Sequence, residues 1–260
     1  MLSAGRVTEI SRALHRAMWE RAAIEPLTET DPGIEIDDAY QISRAFMGLR
    51  EAAGERVIGK KIGVTSPAVQ EMLGIDQPDF GFLTDAMWCR DGIVDTASLI
   101  APRAEAEIGF RLNGDLKGPG VTPADVLTAT ESVMACFEVV DSRIKDWRIR
   151  ICDTIADNAS CGVFVLSDNE VPASGLNLKE IQATVTKNGE YLSEGTGASV
   201  QGAPENAVAW LANTLGEYGI PFRAGEIILS GSLVPLADAA AGDVFRLSMP
   251  GLGELEARFE

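Results

Sequence analysis

Three glutamates hold the chemistry that is easiest to read in this sequence. Glu105-Ala106-Glu107-Ile108-Gly109-Phe110-Arg111-Leu112 has the alternation of a strand. Side chains two apart on a strand share a face, so Glu105 and Glu107 point the same way with Cβ atoms about 6.5–7 Å apart. Ala106, Ile108, Phe110 and Leu112 occupy the opposite face and suit a core. Two carboxylates that close repel unless solvent or a cation separates them, and a solvated charged face is the plain alternative. Glu138 shifts the balance, because Cys136-Phe137-Glu138-Val139-Val140 surrounds it with apolar neighbours. An unpaired buried carboxylate costs several kcal/mol or takes up a proton. It needs a cation, supplied either by Arg143 as a structural ion pair or by a metal shared with Glu105 and Glu107. Three carboxylates suit a hard, oxygen-seeking ion such as Mg²⁺ or Mn²⁺. The three acids taken together favour the metal.

A positive patch precedes them in Gly59-Lys60-Lys61-Ile62-Gly63-Val64-Thr65-Ser66. Lys61 lies between Gly59 and Gly63 on its strand face, which leaves room for a ligand to approach the backbone. Lys60 shares its face with Ile58 and Ile62 and is expected to snorkel or to serve a structural role. A lysine on an exposed edge strand fits the same pattern. Downstream, Gln77-Pro78-Asp79-Phe80-Gly81-Phe82-Leu83-Thr84-Asp85 reads as an apolar turn with two acids. Asp79 beside Pro78 equally suits stabilising that turn. Two small polar loops, Asp157-Asn158-Ala159-Ser160-Cys161-Gly162 and Leu229-Ser230-Gly231-Ser232, contribute Ser160, Ser230 and Ser232. Such loops can cup a carboxylate with hydroxyls and backbone N–H groups, and they also fit ordinary turns.

Composition narrows what these residues act on. The 260-residue chain has a formal net charge of −17 and no basic tract, which argues against nucleic acid and anionic membranes as partners. An acidic protein repels anionic substrates, so a carboxylate substrate requires a local positive focus, from lysine or a metal. The single histidine, His15, sits on a surface-type helix. One His excludes a multi-His zinc site and leaves acid–base work to Asp, Glu, Lys or Tyr. Cys89, Cys136, Cys152 and Cys161 form no C-x-x-C pair and read as buried free thiols, suited to a reducing cytoplasm. No apolar run reaches the roughly 18 residues of a membrane span. The charged, amphipathic N-terminus reads as the start of a fold and not as a targeting segment.

The elements that must position these residues fall into two blocks. Residues 3–23 and 37–53 read as helices with apolar residues at helical spacing, the second ended by Gly54, and form a helical annex over residues 1–55. From residue 56 to 260 the chain is mostly short β-branched and aromatic segments separated by Gly, Pro, Asn and Asp. Asn188-Gly189 predicts a type I′ hairpin turn. Helices are expected from Pro67 to Leu73, capped by Ser66, from Pro123 to about Val133, and from Pro204 to about Tyr218. Many strands without βαβ alternation predict an α+β fold with a rolled or barrel-like mixed sheet.

The stretches GKKIGVTSPAVQEMLGIDQPDFGFLTDAM, PRAEAEIGF, CFEVVDSRIKDWRIRICDTIADNASCG and AGEIILSGSLVPL closely resemble the 2-hydroxypenta-2,4-dienoate (2-keto-4-pentenoate) hydratases. These belong to the hydratase/decarboxylase branch of the fumarylacetoacetate hydrolase superfamily. The resemblance runs through almost the whole chain. It implies a mixed β-roll of the superfamily's C-terminal type with an N-terminal helical annex, and a high-order homo-oligomer. It implies Mg²⁺ or Mn²⁺ on Glu105, Glu107 and Glu138, and a role in meta-cleavage degradation of aromatic compounds. Lys61 matches the family lysine in G-x-K-x-G-x-T-S, with Lys60 second to it, and the segment around Asp79 looks hydratase-like. The activity implied is conversion of 2-hydroxypenta-2,4-dienoate and water to 4-hydroxy-2-oxopentanoate. Alternatives are a 4-oxalocrotonate decarboxylase, or a non-catalytic partner subunit of one, since hydratases and decarboxylases of this branch associate.

Overall fold

The structure, a computed structural model, describes residues 1–65, 70 and 77–260. The helix expected from Pro67 to Leu73, with its Ser66 cap, lies outside the described residues. Helix α1 (Ala4–Glu20) starts where the Ser3 hydroxyl accepts the Arg6 N–H, and it buries Val7, Ile10, Leu14 and Ala17. It ends earlier than the expected residue 23, because Arg21 turns left-handed at φ 52° and its N–H returns to the Ala17 carbonyl. After the single turn α2 (Leu27–Thr30), helix α3 (Ile36–Ala52) buries Ala39, Ile42 and Phe46 against α1 and stops before Gly54, at φ 107°. The apolar faces of these helices join the same core as the strands, which begin at Val57.

The strands are β1 (Val57–Gly63), β2 (Asp79–Thr84), β3 (Ile93–Val94), β4 (Arg103–Leu112), β5 (Thr130–Val140), β6 (Cys161–Leu166), β7 (Val171–Pro172), β8 (Gln182–Lys187), β9 (Glu190–Thr196), β10 (Ile227–Leu229), β11 (Ala237–Asp238), β12 (Val244–Met249) and β13 (Gly253–Phe259). The larger sheet runs β2-β1-β10-β4-β5-β6, with β11 added beside β4 and β7 beside β5. β1 and β10 are parallel and the other pairs are antiparallel. This sheet curls into a half-barrel whose end strands approach each other. There the Asn158 amide bonds both the N–H and the C=O of Phe82 on β2, at 2.8 and 2.9 Å. The second sheet, β3-β13-β12-β8-β9, packs on the larger one through Phe137 and Phe245, whose rings meet edge-on 6.1 Å apart. The hairpin between β8 and β9 has Asn188 at φ 56° and Gly189 at φ 85°, as a type I′ turn requires.

A second helix is also shorter than expected. Pro123–Thr128 ends five residues before Val133, since from Thr130 the chain pairs along β4 for the length of β5. The apolar run continues through both elements, and a short apolar run reads equally well as helix or strand. The helix Ile151–Ala156, between α3 and β2, carries no periodic pattern long enough to announce it.

β4 and β5 present two faces. Ala106, Ile108, Phe110, Val133, Ala135, Phe137 and Val139 enter the main core. The opposite face carries Glu105, Glu107 and Glu138 beside a smaller apolar cluster that includes Met134, Cys136, Cys161, Phe164 and Leu229. That inner face of the half-barrel is where the charged residues collect.

Candidate metal centre

Antiparallel pairing sets Glu105 of β4 directly opposite Glu138 of β5, with Glu107 two residues along opposite Cys136. One carboxylate oxygen from each of the three lies within 4.8 Å of the others. Glu107 and Glu138 are fully buried, and Glu105 is partly exposed. At such a separation two ionised carboxylates repel by about 3 kcal/mol at an effective dielectric constant near 20. Accordingly, burial and the Glu138 charge push Glu105 up to about 8, Lys61 offsetting part of the shift. Burial, then Glu138 and Glu105, holds Glu107 well above the ordinary carboxylate range.

The polar contacts do not satisfy these acids. Glu107 Oε2 accepts the Gly231 N–H at 2.9 Å, while Glu107 Oε1 and both oxygens of Glu138 have no hydrogen-bond partner among the described residues. Three converging carboxylates, two of them fully buried, with Glu107 Oε1 and Glu138 Oε2 lacking a hydrogen bond or ion pair among the described residues, fit a divalent cation, which would be held by Glu105, Glu107 and Glu138.

Lys61 is the local positive focus that an acidic chain requires. On β1 it pairs in register with Leu229 and Gly81, so its side chain enters the inner face, where Nζ lies 3.1 Å from Glu138 Oε1. Burial opposes its charge, but Glu138, Asp79 and Glu105 outweigh burial and raise Lys61 above the usual lysine range. The cation beside Glu138 is therefore Lys61. Arg143, the other candidate, is taken by Asp157 in a buried pair at 2.5 Å. Lys60 is not brought to the cluster. Alternation turns it to the other side of β1, where it pairs with Glu226, bonds the Pro221 carbonyl at 3.3 Å and lies over the Phe222 ring. Burial lowers Lys60, and Glu226 opposes the shift.

Asp79 joins the cluster from β2, opposite Gly63. It is 1% exposed; Oδ2 accepts from the Thr154 hydroxyl at 3.3 Å, and Oδ1 has no partner among the described residues. Burial raises Asp79, with Lys61 pulling the other way. The glycines flanking Lys61 do not hold space for a ligand, as their spacing suggested. A Cβ on Gly59 would meet the Ile227 carbonyl oxygen at 1.9 Å, and one on Gly63 would meet Asp79 Oδ1 at 2.2 Å. The space is taken by β10 and by the acid itself.

The three serines have different settings. Ser160 is buried with Oγ 3.3 Å from Thr154 Oγ1, within one hydroxyl of Asp79. Ser230 is fully buried after β10, and its Oγ has no partner among the described residues. Ser232 donates its hydroxyl to the Val234 carbonyl at 2.6 Å. Between them Gly231, at φ 103°, turns its N–H onto Glu107, so the loop's carboxylate-cupping group serves a protein acid. The Ser-Gly-Ser pattern carried that signal. Thr154 was not singled out, and nothing in its six-residue helix marks it in the sequence. His15 stays on α1, accepting the Trp19 indole N–H at 3.1 Å.

Residues 84–260 match the fumarylacetoacetate hydrolase C-terminal family model. The chain belongs to that family. It is 55% identical over 249 residues to a 2-hydroxyhexa-2,4-dienoate hydratase of Comamonas testosteroni, covering 95% of this chain and 94% of the relative. It is 57% identical over 216 residues to a 2-hydroxypent-2,4-dienoate hydratase of Pseudomonas putida, covering 82% and 97%. Among solved structures, 4-oxalocrotonate decarboxylase from Pseudomonas putida G7, complexed with magnesium and adipate, superposes with a TM-score of 0.97 at 33% identity. That alignment spans 100% of this chain and 99% of the other.

Proposed function

We propose that this family member is a metal-dependent hydratase, a carbon–oxygen lyase that converts 2-hydroxypenta-2,4-dienoate and water to 4-hydroxy-2-oxopentanoate in meta-cleavage degradation of aromatic compounds. Identity of 55–57% to dienoate hydratases carries this reading, against 33% to the decarboxylase. Fold does not separate the two activities, since the decarboxylase superposes at a TM-score of 0.97. We infer Mg²⁺ or Mn²⁺ as the ion of Glu105, Glu107 and Glu138. When bound, such a cation supplies Lewis acidity to a chelated 2-oxo acid.

The chain's own groups account for the remaining steps. The Lys61 ammonium, kept charged by the acids around it, stabilises negative charge that develops on the 2-oxygen. Asp79, raised by burial, is suited to giving a proton to the terminal carbon as the dienol becomes the conjugated ketone. As a carboxylate it then takes a proton from the water that adds at C4, and C3 takes up the equivalent of the proton that the 2-hydroxyl released on ketonisation, which completes the product. We assign binding of the substrate's carboxylate end to Ser230 first, since its hydroxyl has no partner among the described residues, while the Ser160 and Ser232 hydroxyls would have to turn from Thr154 and Val234 to join it.

We also infer a cytoplasmic location, a high-order homo-oligomer, association with a homologous decarboxylase, and a division into 1–55 and 56–260. No helix among the described residues is long and apolar enough to cross a membrane. Incubation with purified dienoate and Mg²⁺ should remove its ultraviolet absorbance and yield 4-hydroxy-2-oxopentanoate. The decarboxylase reading is favoured by the structural superposition alone. Rapid CO₂ release from 4-oxalocrotonate with no hydration of the dienoate would establish it in place of ours.

A further inference from the structure

We propose that Thr154 is a positioning residue that binds one oxygen of Asp79, so that the other, Oδ1, is the oxygen that works on the substrate. The proposal rests on the hydratase reading. Thr154 is 4% exposed, and its hydroxyl touches two groups, Asp79 Oδ2 and Ser160 Oγ, each at 3.3 Å. The Thr154 hydroxyl is the donor to Asp79 Oδ2, and a threonine hydroxyl has one proton to give. Thr154 therefore donates to Asp79 and Ser160 donates to Thr154. This one-way chain ends on Oδ2 and leaves Oδ1 with no partner among the described residues.

Oδ1 faces the side of Asp79 on which Lys61 lies. It fills the notch over Gly63, where a Cβ would lie 2.2 Å from it and 3.3 Å from Lys61 Nζ. The two groups assigned to proton movement and charge stabilisation thus border one niche, with Oδ1 on the lysine's side. The hydroxyl that holds Oδ2 is itself rigidly carried. A threonine in a short helix ordinarily bonds the carbonyl of its own preceding turn. Thr154 instead reaches across 75 residues of chain to Asp79. Its neighbour Asp153 anchors the helix start by accepting the Arg150 N–H at 2.8 Å and both the N–H and hydroxyl of Thr28, at 3.0 and 2.7 Å. β-branching restricts the threonine χ1 further. The carboxylate plane of Asp79 is therefore fixed from the N-terminal helical side of the fold.

The test compares Thr154→Val, which keeps the shape and loses the hydroxyl, with Thr154→Ser, which keeps the hydroxyl. Both are measured on the full, Mg²⁺-loaded chain with the dienoate. Thr154→Val should lower kcat about tenfold, the scale of one lost neutral hydrogen bond, with KM within about twofold. Thr154→Ser should restore kcat to within about threefold of the parent. In an Asp79→Asn background Thr154→Val should cost nothing further, because the group it positions is already disabled. A crystal structure of Thr154→Val should show the Asp79 carboxylate rotated or split between conformers. Equal losses in both backgrounds, failure of Thr154→Ser to rescue, or an unmoved Asp79 in that structure would overturn the proposal. A parent chain that fails to hydrate the dienoate refutes the hydratase reading instead, and the crystal structure still decides the positioning of Asp79.

Discussion

Replacing the neighbouring lysines by methionine, one at a time, should separate turnover from stability. Lys60→Met removes the cation that pairs with Glu226 on the outer side of β1. The Glu226 side chain is 15% exposed and keeps the Arg223 N–H at 2.9 Å, so it is not left wholly without partners. Breaking a fully buried pair costs about 3–5 kcal/mol, and this partly open one should cost about 2 kcal/mol. For a chain of this size about 2–4 °C is lost per kcal/mol, so Tm should fall by about 4–8 °C. Turnover should stay within about twofold, since no reacting atom is near Lys60. Lys61→Met removes a buried charge 3.1 Å from Glu138, inside the carboxylate cluster. Its kcat should fall by about 10²–10³, or about 2.7–4 kcal/mol, the scale of losing one preorganised donor. The assay is decay of dienoate absorbance at saturating Mg²⁺, with thermal unfolding followed at the same metal concentration. If Lys60→Met loses more kcat than Lys61→Met while both stay folded and bind metal, the assignment of the two faces of β1 is refuted.

Removing metal with a chelator should abolish hydration, and Mg²⁺ or Mn²⁺ should restore it; full activity without metal would contradict the assignment of the triad. Glu107→Gln keeps the shape and the Gly231 contact but loses the charge, and calorimetry should show cation affinity reduced by more than about 100-fold in a folded protein. Gly63→Ala would set a methyl 2.2 Å from Asp79 Oδ1, so kcat should drop at least about tenfold and Tm should fall as well, overpacking costing about 1–3 kcal/mol; unchanged kcat in the folded variant would place Asp79 outside the reaction. Glu105, raised from 4.5 to about 8, and Glu107, also raised, keep protons in the metal-free fold where the unfolded chain has released them. The folded state binds more protons in that window, so metal-free stability should fall as pH rises from 4.5 toward 8. Cation binding, which displaces those protons, should tighten over the same range. Melting curves in chelator that rise toward pH 8 would contradict this.

What the sequence disclosed followed from period two. An acid in an apolar strand, Glu138, and a pair on one face, Glu105 and Glu107, were legible because strand alternation needs no knowledge of partners. The same alternation correctly sent Lys61 and Lys60 to opposite sides of β1. Long-range pairing was not legible. Arg143 lies closer in sequence to Glu138 than Lys61 does, yet Asp157 holds it, and only the parallel addition of β10 to β1 reveals what fills the notch at Gly59. The Gly-flanked lysine looked open to a ligand because a sequence shows the missing side chain but not the backbone that replaces it. Thr154 was hidden for a related reason, since a six-residue helix has too few turns for its faces to be read. The long ordered motifs, by contrast, were specific enough to identify the family that the comparison then showed.

The Asn158 amide that closes the half-barrel has a dynamic consequence. Parting β4 from β5 would break a ladder that runs the length of both strands and dismantle the carboxylate triad. Opening the roll beside Phe82 requires releasing the two hydrogen bonds of the Asn158 amide, the Cys89 N–H bond to the Phe164 carbonyl and the Thr154–Asp79 bond, a smaller set than that ladder. Breathing of the ring is therefore concentrated at that seam. β2, with Asp79, lies on one side of it, and Ser160 follows Asn158 on the other. Loosening there would shift Asp79 relative to Ser160 while the strands that carry the three glutamates stay paired.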